Sequence, residues 1–207
     1  METIPRKSQL IGRWADTNKI INEICEVDSP RRVICIWGTA GVGKTALVES
    51  IYQRPKIINK FPIRVWTTIE QPFNLKEFLR GLASQLSSTK EITLEKIIKG
   101  HGSQMYLKMG ITDLCGEVTR LLNEKKYLIV LDGASWRNEL CMIMKHLPGD
   151  HMNGSRIIVT AREEEVAKHS LCTHQHNLAR LDSMDALKLF KTKVRYIKLF
   201  LVSAIII

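Results

Sequence analysis

The residues of this chain with the clearest chemical purpose are Gly38, Gly41, Gly43, Lys44 and Thr45, spaced as G-x-x-x-x-G-K-T within Gly38-Thr39-Ala40-Gly41-Val42-Gly43-Lys44-Thr45. Phosphate groups carry negative charge that backbone N–H groups can surround only where no side chain intervenes, and glycine supplies such backbone. The N-terminus of a following helix adds a fixed positive field, the lysine a mobile positive charge, and the threonine hydroxyl a ligand for magnesium. The spacing therefore fits a loop that cradles the phosphates of a nucleotide, with Val42 inside the stretch and Ala46 directly after it.

A Gly-rich turn would explain the glycines alone, so the elements on either side decide the matter. Val33-Ile34-Cys35-Ile36-Trp37 is a short β-branched and aromatic run bounded by Pro30, the pattern of a strand buried on both faces. From Lys44 the chain holds helix formers, with Ala46, Leu47 and Ile51 at helical spacing, until Pro55 forbids continuation. Strand, loop and helix come in the order that a phosphate-binding loop needs.

Two more segments place reactive side chains where such a loop would use them. Tyr127-Leu128-Ile129-Val130-Leu131-Asp132 is an apolar strand ending on an acid. An acid at the carboxyl end of a parallel strand faces the crevice where these sheets bind ligands, so Asp132 is the candidate to hold magnesium through water, and the one candidate for a catalytic part. Asn153-Gly154-Ser155-Arg156-Ile157-Ile158-Val159-Thr160-Ala161-Arg162 is a turn, a buried strand and a polar tip. Arg162 can fork onto phosphate oxygens; equally, it can open a helix over Glu163 to His169 and pair with the acidic triplet Glu163-Glu164-Glu165.

The elements that must position these groups alternate. Strands are expected at Val33–Trp37, Ile63–Ile69, Tyr127–Leu131, Arg156–Thr160 and Gln175–Leu178, with helices between them. The clearest helix runs from Leu75 to Ser87, where Asn74 caps, Glu77 follows three residues later, and Leu75, Phe78, Leu79, Leu82, Ala83 and Leu86 make one apolar face. Residues 88–110 read as a loop with a short helix from Leu94 to Lys99. Alternation of this kind means an α/β fold, a mainly parallel five-stranded sheet flanked by helices in three layers.

Composition narrows the setting. At 207 residues, 44% hydrophobic and 25% charged, the chain can bury one sizeable core and is expected to form one domain. Its N-terminus lacks the apolar stretch of a signal peptide, and five scattered cysteines without a C-x-x-C pair suit buried reduced thiols, so a cytoplasmic location is expected. His169, Cys172, His174 and His176 have ligand chemistry, but their spacing on a strand suits few metals. Lys plus Arg 31 against Asp plus Glu 21 gives a net charge of +10. The basic residues are spread over many elements, apart from Lys188, Lys191, Arg195 and Lys198 on one helical face, and no aromatic platform is interleaved; nucleic acid is therefore not an expected partner. The run from Leu199 to Ile207 is too short to span a bilayer, so no membrane is expected either.

With these motifs assembled, the sequence resembles the NB-ARC nucleotide-binding domain of plant disease-resistance proteins. Gly38 to Thr45, Phe61 to Thr68, Tyr127 to Trp136, Gly154 to Arg162 and Leu181 to Phe190 look like its successive motifs in order, and Leu10-Ile11-Gly12-Arg13 is similar to the segment that touches adenine. The resemblance implies a P-loop NTPase fold and a molecular switch held by ADP and activated by exchange for ATP, with other resistance-protein chains or signalling proteins as partners. It implies that Ile11 and Arg13 flank the base, that the loop from Gly38 to Ala46 and Arg162 bind nucleotide, and that Thr45 and Asp132 hold Mg2+. It also divides the chain into a linker and helix over 1–30, a nucleotide-binding body over 31–190, and a divergent tail over 191–207 that reads as a truncated product.

Two departures from the pattern bear on mechanism. The family usually has a second acid after the first, proposed to orient or activate the attacking water; this chain has Gly133, and Ala161 replaces a common threonine before the arginine. Losing a candidate general base removes about two to four orders of magnitude of rate, so hydrolysis should be feeble while binding survives. The competing class is a P-loop enzyme: an ATPase acting on nucleic acid, or a GTPase. The N-K-x-D guanine signature is missing, since Asn18-Lys19 and Asn59-Lys60 are followed by Ile20-Ile21 and Phe61-Pro62.

Overall fold

The apolar run before the glycine loop forms strand β1 (Arg32–Trp37), whose four central residues are buried. In the computed structural model, which describes residues 10–26, 30–88, 104–148, 154–168 and 171–205, β1 lies inside a sheet. It pairs in parallel with β4 (Arg156–Ala161) on one side and β5 (His174–Asn177) on the other. Beyond β4 come β3 (Tyr127–Ala134) and β2 (Ile63–Thr68), giving the order β2-β3-β4-β1-β5 with every pairing parallel.

Parallel neighbours must be joined by crossovers, and helices supply them. In chain order these are α1 (Trp14–Cys25), α2 (Lys44–Tyr52), α3 (Pro55–Lys60), α4 (Leu75–Ser88), α5 (Gln104–Leu107), α6 (Ile111–Leu122), α7 (Arg137–Lys145), α8 (Glu164–Ala167) and α9 (Ser183–Ile205). One face of the sheet is covered by α1, α2 and α3: Ile20, Ile24, Leu47, Ile51 and Ile57 pack on Ile34, Ile36, Leu128, Val130 and Ile158. On the other face Leu79, Leu82, Val118, Leu140, Ile143 and Val166 pack on Val33, Cys35, Ile129, Leu131 and Val159. The expected three-layer α/β sandwich with a five-stranded parallel sheet is what the chain builds.

Most expected elements stand within a residue of their places. In α4 the Asn74 side chain accepts from the Glu77 amide at 3.2 Å, and Phe78, Leu79, Leu82, Ala83 and Leu86 are buried. Pro55 ends α2 as expected, but sits in the first turn of α3, where its missing N–H costs nothing. The helix expected over Leu94–Lys99 lies outside the described residues. The five cysteines are free thiols. Cys35 and Cys172 are buried in one cluster, and the hydrogen bond between them, together with burial, pushes the Cys35 thiol far above the ordinary range. The other members of the His/Cys group have partners of their own: His176 Nε2 lies 2.6 Å from Glu23 Oε2 and His174 Nδ1 lies 3.1 Å from Thr173 Oγ1, while His169 is outside the described residues.

The largest difference is at the end of β3, which runs on to Ala134 through an irregularity. Leu131 pairs with Val159 and Ala134 with Ala161, so Asp132 and Gly133 together stand opposite Thr160. Two residues against one is a β-bulge, and Gly133 takes the positive φ of +87° that makes it possible. The bulge shifts the phase of the strand: Leu128 and Val130 face α2, Asp132 follows them, and Ala134 then joins Leu131 in the opposite cluster. The acid is thereby directed to the loop side while the strand re-enters the core.

At the far edge of the sheet Arg156 is fully buried. Its guanidinium donates to the carbonyls of Glu23, Glu26, Pro30 and Ser155 at 3.4, 2.9, 3.3 and 2.9 Å, which satisfies the last turn of α1. Arg156→Met keeps the stem and removes the donors. It is expected to lower stability by about 3 kcal/mol, read as a lower urea midpoint at unchanged slope. An unmoved midpoint would show that water satisfies these carbonyls equally well.

Candidate nucleotide-binding site

All five strands point their carboxyl ends to one edge of the sheet, and the glycine loop leaves that edge from the end of β1. Its three glycines are needed for different reasons. At Gly38 a Cβ would stand 2.6 Å from the Leu178 carbonyl oxygen, because the chain leaving β5 presses against the loop and the Leu178 amide donates to Trp37 O at 2.8 Å. Gly41 and Gly43 have φ of +76° and +99°, and a Cβ on either would meet nothing within 4 Å. Their backbone thus turns through the left-handed region while leaving open space, as a backbone cradle for phosphate oxygens requires.

Lys44 opens α2, with Gly43 as the N-cap. Its Nζ donates back to Gly38 O at 2.6 Å and Thr39 O at 3.0 Å, so the ammonium lies across the loop. Burial, and next the positive charge of Arg162, pull its pKa below the usual lysine value, against which Asp132 acts. Arg162 is exposed just past β4 and acts on Lys44 through its charge, which sets both cations at the same edge.

Asp132 is 9% exposed, and two hydroxyls account for its carboxylate. The Thr45 hydroxyl lies 3.1 Å from both of its oxygens. The Thr160 hydroxyl donates to Oδ1, and the same hydroxyl oxygen accepts from the Gly133 amide at 2.8 Å. A hydroxyl and a carboxylate brought together beside open loop backbone are a hard-oxygen donor pair suited to Mg2+ held partly through water. Among the described residues no group of three or more His, Cys, Asp or Glu side chains gathers as a metal site. Gly133 itself is exposed, with open space about it.

The segment before α1 is tied both to the glycine loop and to the chain after β5. Arg13 is 7% exposed, and its guanidinium is committed: Nη2 donates to Val42 O at 3.0 Å and Ala179 O at 2.7 Å, and Nη1 to Asp16 Oδ2 at 3.3 Å. It braces the loop against the chain after β5. Ile11 is half-buried in the turn before α1, and Gly12, at φ +72°, approaches Leu181 and Asp185 so closely that a Cβ would stand 2.6 Å from Asp185 Oδ2. Val42 is half-buried and Ala46 exposed on the first turn of α2. Sequence reasoning missed Thr160, although a hydroxyl ending the run Ile157-Ile158-Val159 was a visible signal. It also missed the carbonyls of Leu178 and Ala179, for which no side chain gives one.

A glycine loop between a central parallel strand and a helix, with lysine, threonine and a strand-end acid converging on it, defines a P-loop NTPase domain. Comparison with known proteins makes this more particular: the sequence matches the model of the NB-ARC domain over residues 13–199, and the chain belongs to that family. It is 28% identical over 196 residues to the putative disease resistance RPP13-like protein 2 of Arabidopsis thaliana, covering 93% of this chain and 22% of that protein. It is 25% identical over 191 residues to disease resistance protein RGA4 of Oryza sativa subsp. japonica, covering 90% and 17%. The chain thus spans about a fifth of the length of these relatives. Among solved structures, a signal transduction ATPase with numerous domains (STAND) protein with a tetratricopeptide repeat sensor from Pyrococcus horikoshii superposes with a TM-score of 0.54 at 21% identity, covering 91% of this chain and 26% of that one. The Aeropyrum pernix ORC2 protein in ADPNP–ADP complexes gives 0.55 at 12% identity, covering 94% and 54%. At these identities the likeness is one of fold.

The two kinds of glycine predict two kinds of defect. Gly38→Ala drives a Cβ into backbone, so it is expected to cost stability without ligand and lower the melting temperature by more than Gly41→Ala. The latter meets only the left-handed strain of about 1–2 kcal/mol. Equal shifts for the two variants would show that the approach of Leu178 relaxes freely.

Proposed function

We propose that the chain is the adenine-nucleotide switch module of a plant disease-resistance type protein, which binds ADP and ATP with Mg2+ and hydrolyses ATP slowly if at all. The single observation that carries the binding half is the meeting of Thr45 and Asp132 at 3.1 Å beside the open backbone of Gly41 and Gly43. Backbone amides of the loop and the Lys44 ammonium take the β and γ phosphates, with Lys44 turning outward from the loop carbonyls that it now contacts. The Thr45 hydroxyl oxygen and an Asp132 oxygen take Mg2+, which neutralises phosphate charge when bound. Arg162, on the same edge, takes a third phosphate. Ile11 is the base-contacting residue of its segment, and Arg13 acts on the nucleotide through the loop that it braces.

The slow half rests on Gly133. Its side of β3 is exposed and open, and it carries no group to orient a water, so the site retains charge stabilisation without a general base. The family resemblance supplies the rest of the reading: residues 31–190 as the nucleotide-binding body, a cytoplasmic setting, and other resistance-protein chains or signalling proteins as partners. Among the described residues no helix is long and apolar enough to cross a membrane.

Calorimetry of the purified chain with ADP and Mg2+ tests the binding half. Lys44→Ala should weaken binding by more than Asp132→Ala does, because Lys44 meets phosphate directly and Asp132 acts through the metal; equal affinity of wild type and Lys44→Ala would sink the reading. ADP at a hundredfold excess over Kd should add about 2.7 kcal/mol to stability, and GTP less.

Single-turnover phosphate release tests the slow half. The wild type should stay near background. Gly133→Asp should release phosphate faster than Gly133→Asn, which tolerates the left-handed φ at least as well but lacks the carboxylate. Equal rates for Asp and Asn would show that the carboxylate is not the missing part.

A further inference from the structure

The Thr160 hydroxyl has two uses at once, and they bear on one atom of the metal pair. Its proton goes to Asp132 Oδ1, and its oxygen receives the Gly133 amide at 2.8 Å. That amide belongs to the bulge, where Asp132 and Gly133 share the place opposite Thr160 and the regular ladder bond is lost. Freed from the ladder, this part-buried N–H takes a side-chain acceptor instead. Here the acceptor is the same oxygen that anchors the carboxylate.

Thr160 is 1% exposed, on a strand in which all six residues are buried, so its position is set by the core and not by solvent. It stands on the face of the sheet that α2 covers, next to Ile158 in the sequence alternation, and Asp132 stands on that face of β3. The carboxylate therefore has a fixed donor behind it in β4 and a second donor, Thr45, in front of it in α2. With both Thr160 bonds made, Oδ1 is held toward β4. Thr45 lies 3.1 Å from both oxygens, so it is the Thr160 bond that distinguishes Oδ1 from Oδ2.

We propose that Thr160 is the positioning residue of the Mg2+ centre: one hydroxyl, bonded to both Asp132 and the bulge amide of Gly133, sets the carboxylate that receives the ion. The inference rests on the nucleotide-binding reading above, and goes beyond it by assigning the metal response to a side chain outside the loop and the acid. Partners behind a metal ligand typically govern affinity by about 10- to 100-fold, through orientation and not through contact with the ion. The same oxygen also makes the bulge and the metal response a single unit: a change that straightens β3 at Gly133 would release the carboxylate as well.

The test is a calorimetric comparison of ADP affinity, with Mg2+ and with EDTA, for the wild type, Thr160→Val and Thr160→Ser. Valine keeps the shape and removes the hydroxyl; serine keeps the hydroxyl. In the wild type and in Thr160→Ser, Mg2+ should tighten ADP binding. In Thr160→Val that Mg2+-dependent gain should shrink by about tenfold or more, with affinity in EDTA little changed. The melting temperature of each ligand-free variant is measured alongside. A purely structural role would lower ADP affinity equally in Mg2+ and EDTA, and that result overturns the proposal, as does an undiminished Mg2+ gain in Thr160→Val. If Thr160→Val is too unstable to titrate, the comparison passes to Thr160→Cys, whose thiol is a weak donor; a Mg2+ gain equal to that of the wild type there overturns the proposal. A wild type that binds ADP with no Mg2+ gain overturns this inference and leaves the nucleotide site standing, whereas a wild type that binds no ADP removes both.

Discussion

A carboxylate withdrawn from water at the end of a strand must be given donors, and the rest of this site is arranged around that requirement at Asp132. Three elements meet there because each supplies one part. Strand β3 presents the acid, β4 supplies the Thr160 hydroxyl and α2 the Thr45 hydroxyl. Were any of the three displaced along the sheet, an anion would be left buried without partners, at a cost of several kcal/mol. The tight parallel register of β3 and β4, broken only at the bulge, is thus a condition for the chemistry as much as for the fold.

The same edge of the sheet carries two cations, Lys44 and Arg162. Lys44 turns onto Gly38 O and Thr39 O, so the ammonium has carbonyl partners within its own loop. The neighbouring Arg162 charge and partial burial both disfavour a second positive group there, which lowers the lysine pKa. An incoming polyanion reverses that balance, since it offers negative charge to both cations together.

Much of this was legible in the sequence because it is written in residue types with strong local meaning. The loop glycines, the apolar strands, the Asn74 cap and the α4 face each follow from sterics or periodicity, and they stand where expected. The acid of β3 was legible as a strand end, but the bulge was not. A single glycine after an acid reads as a turn, and only the pairing of Leu131 with Val159 and Ala134 with Ala161 reveals two residues in one place. The partners of Arg13 were hidden for a related reason. Its sequence neighbourhood points to the ligand, while its guanidinium is taken by carbonyls from distant parts of the chain, which carry no signature in side-chain types.

That guanidinium also sets an order of events in the making of the protein. Its two carbonyl partners lie 29 and 166 residues away along the chain, in Val42 and Ala179. Gly38 is likewise shaped for the approach of Leu178. On a ribosome adding about 5–20 residues per second, the glycine loop emerges roughly seven to twenty-seven seconds before the segment that braces it. For that interval its backbone has neither the brace from Arg13 to Ala179 nor the strand β5 beside β1. A part of the domain synthesised early is therefore among the last to reach its final geometry.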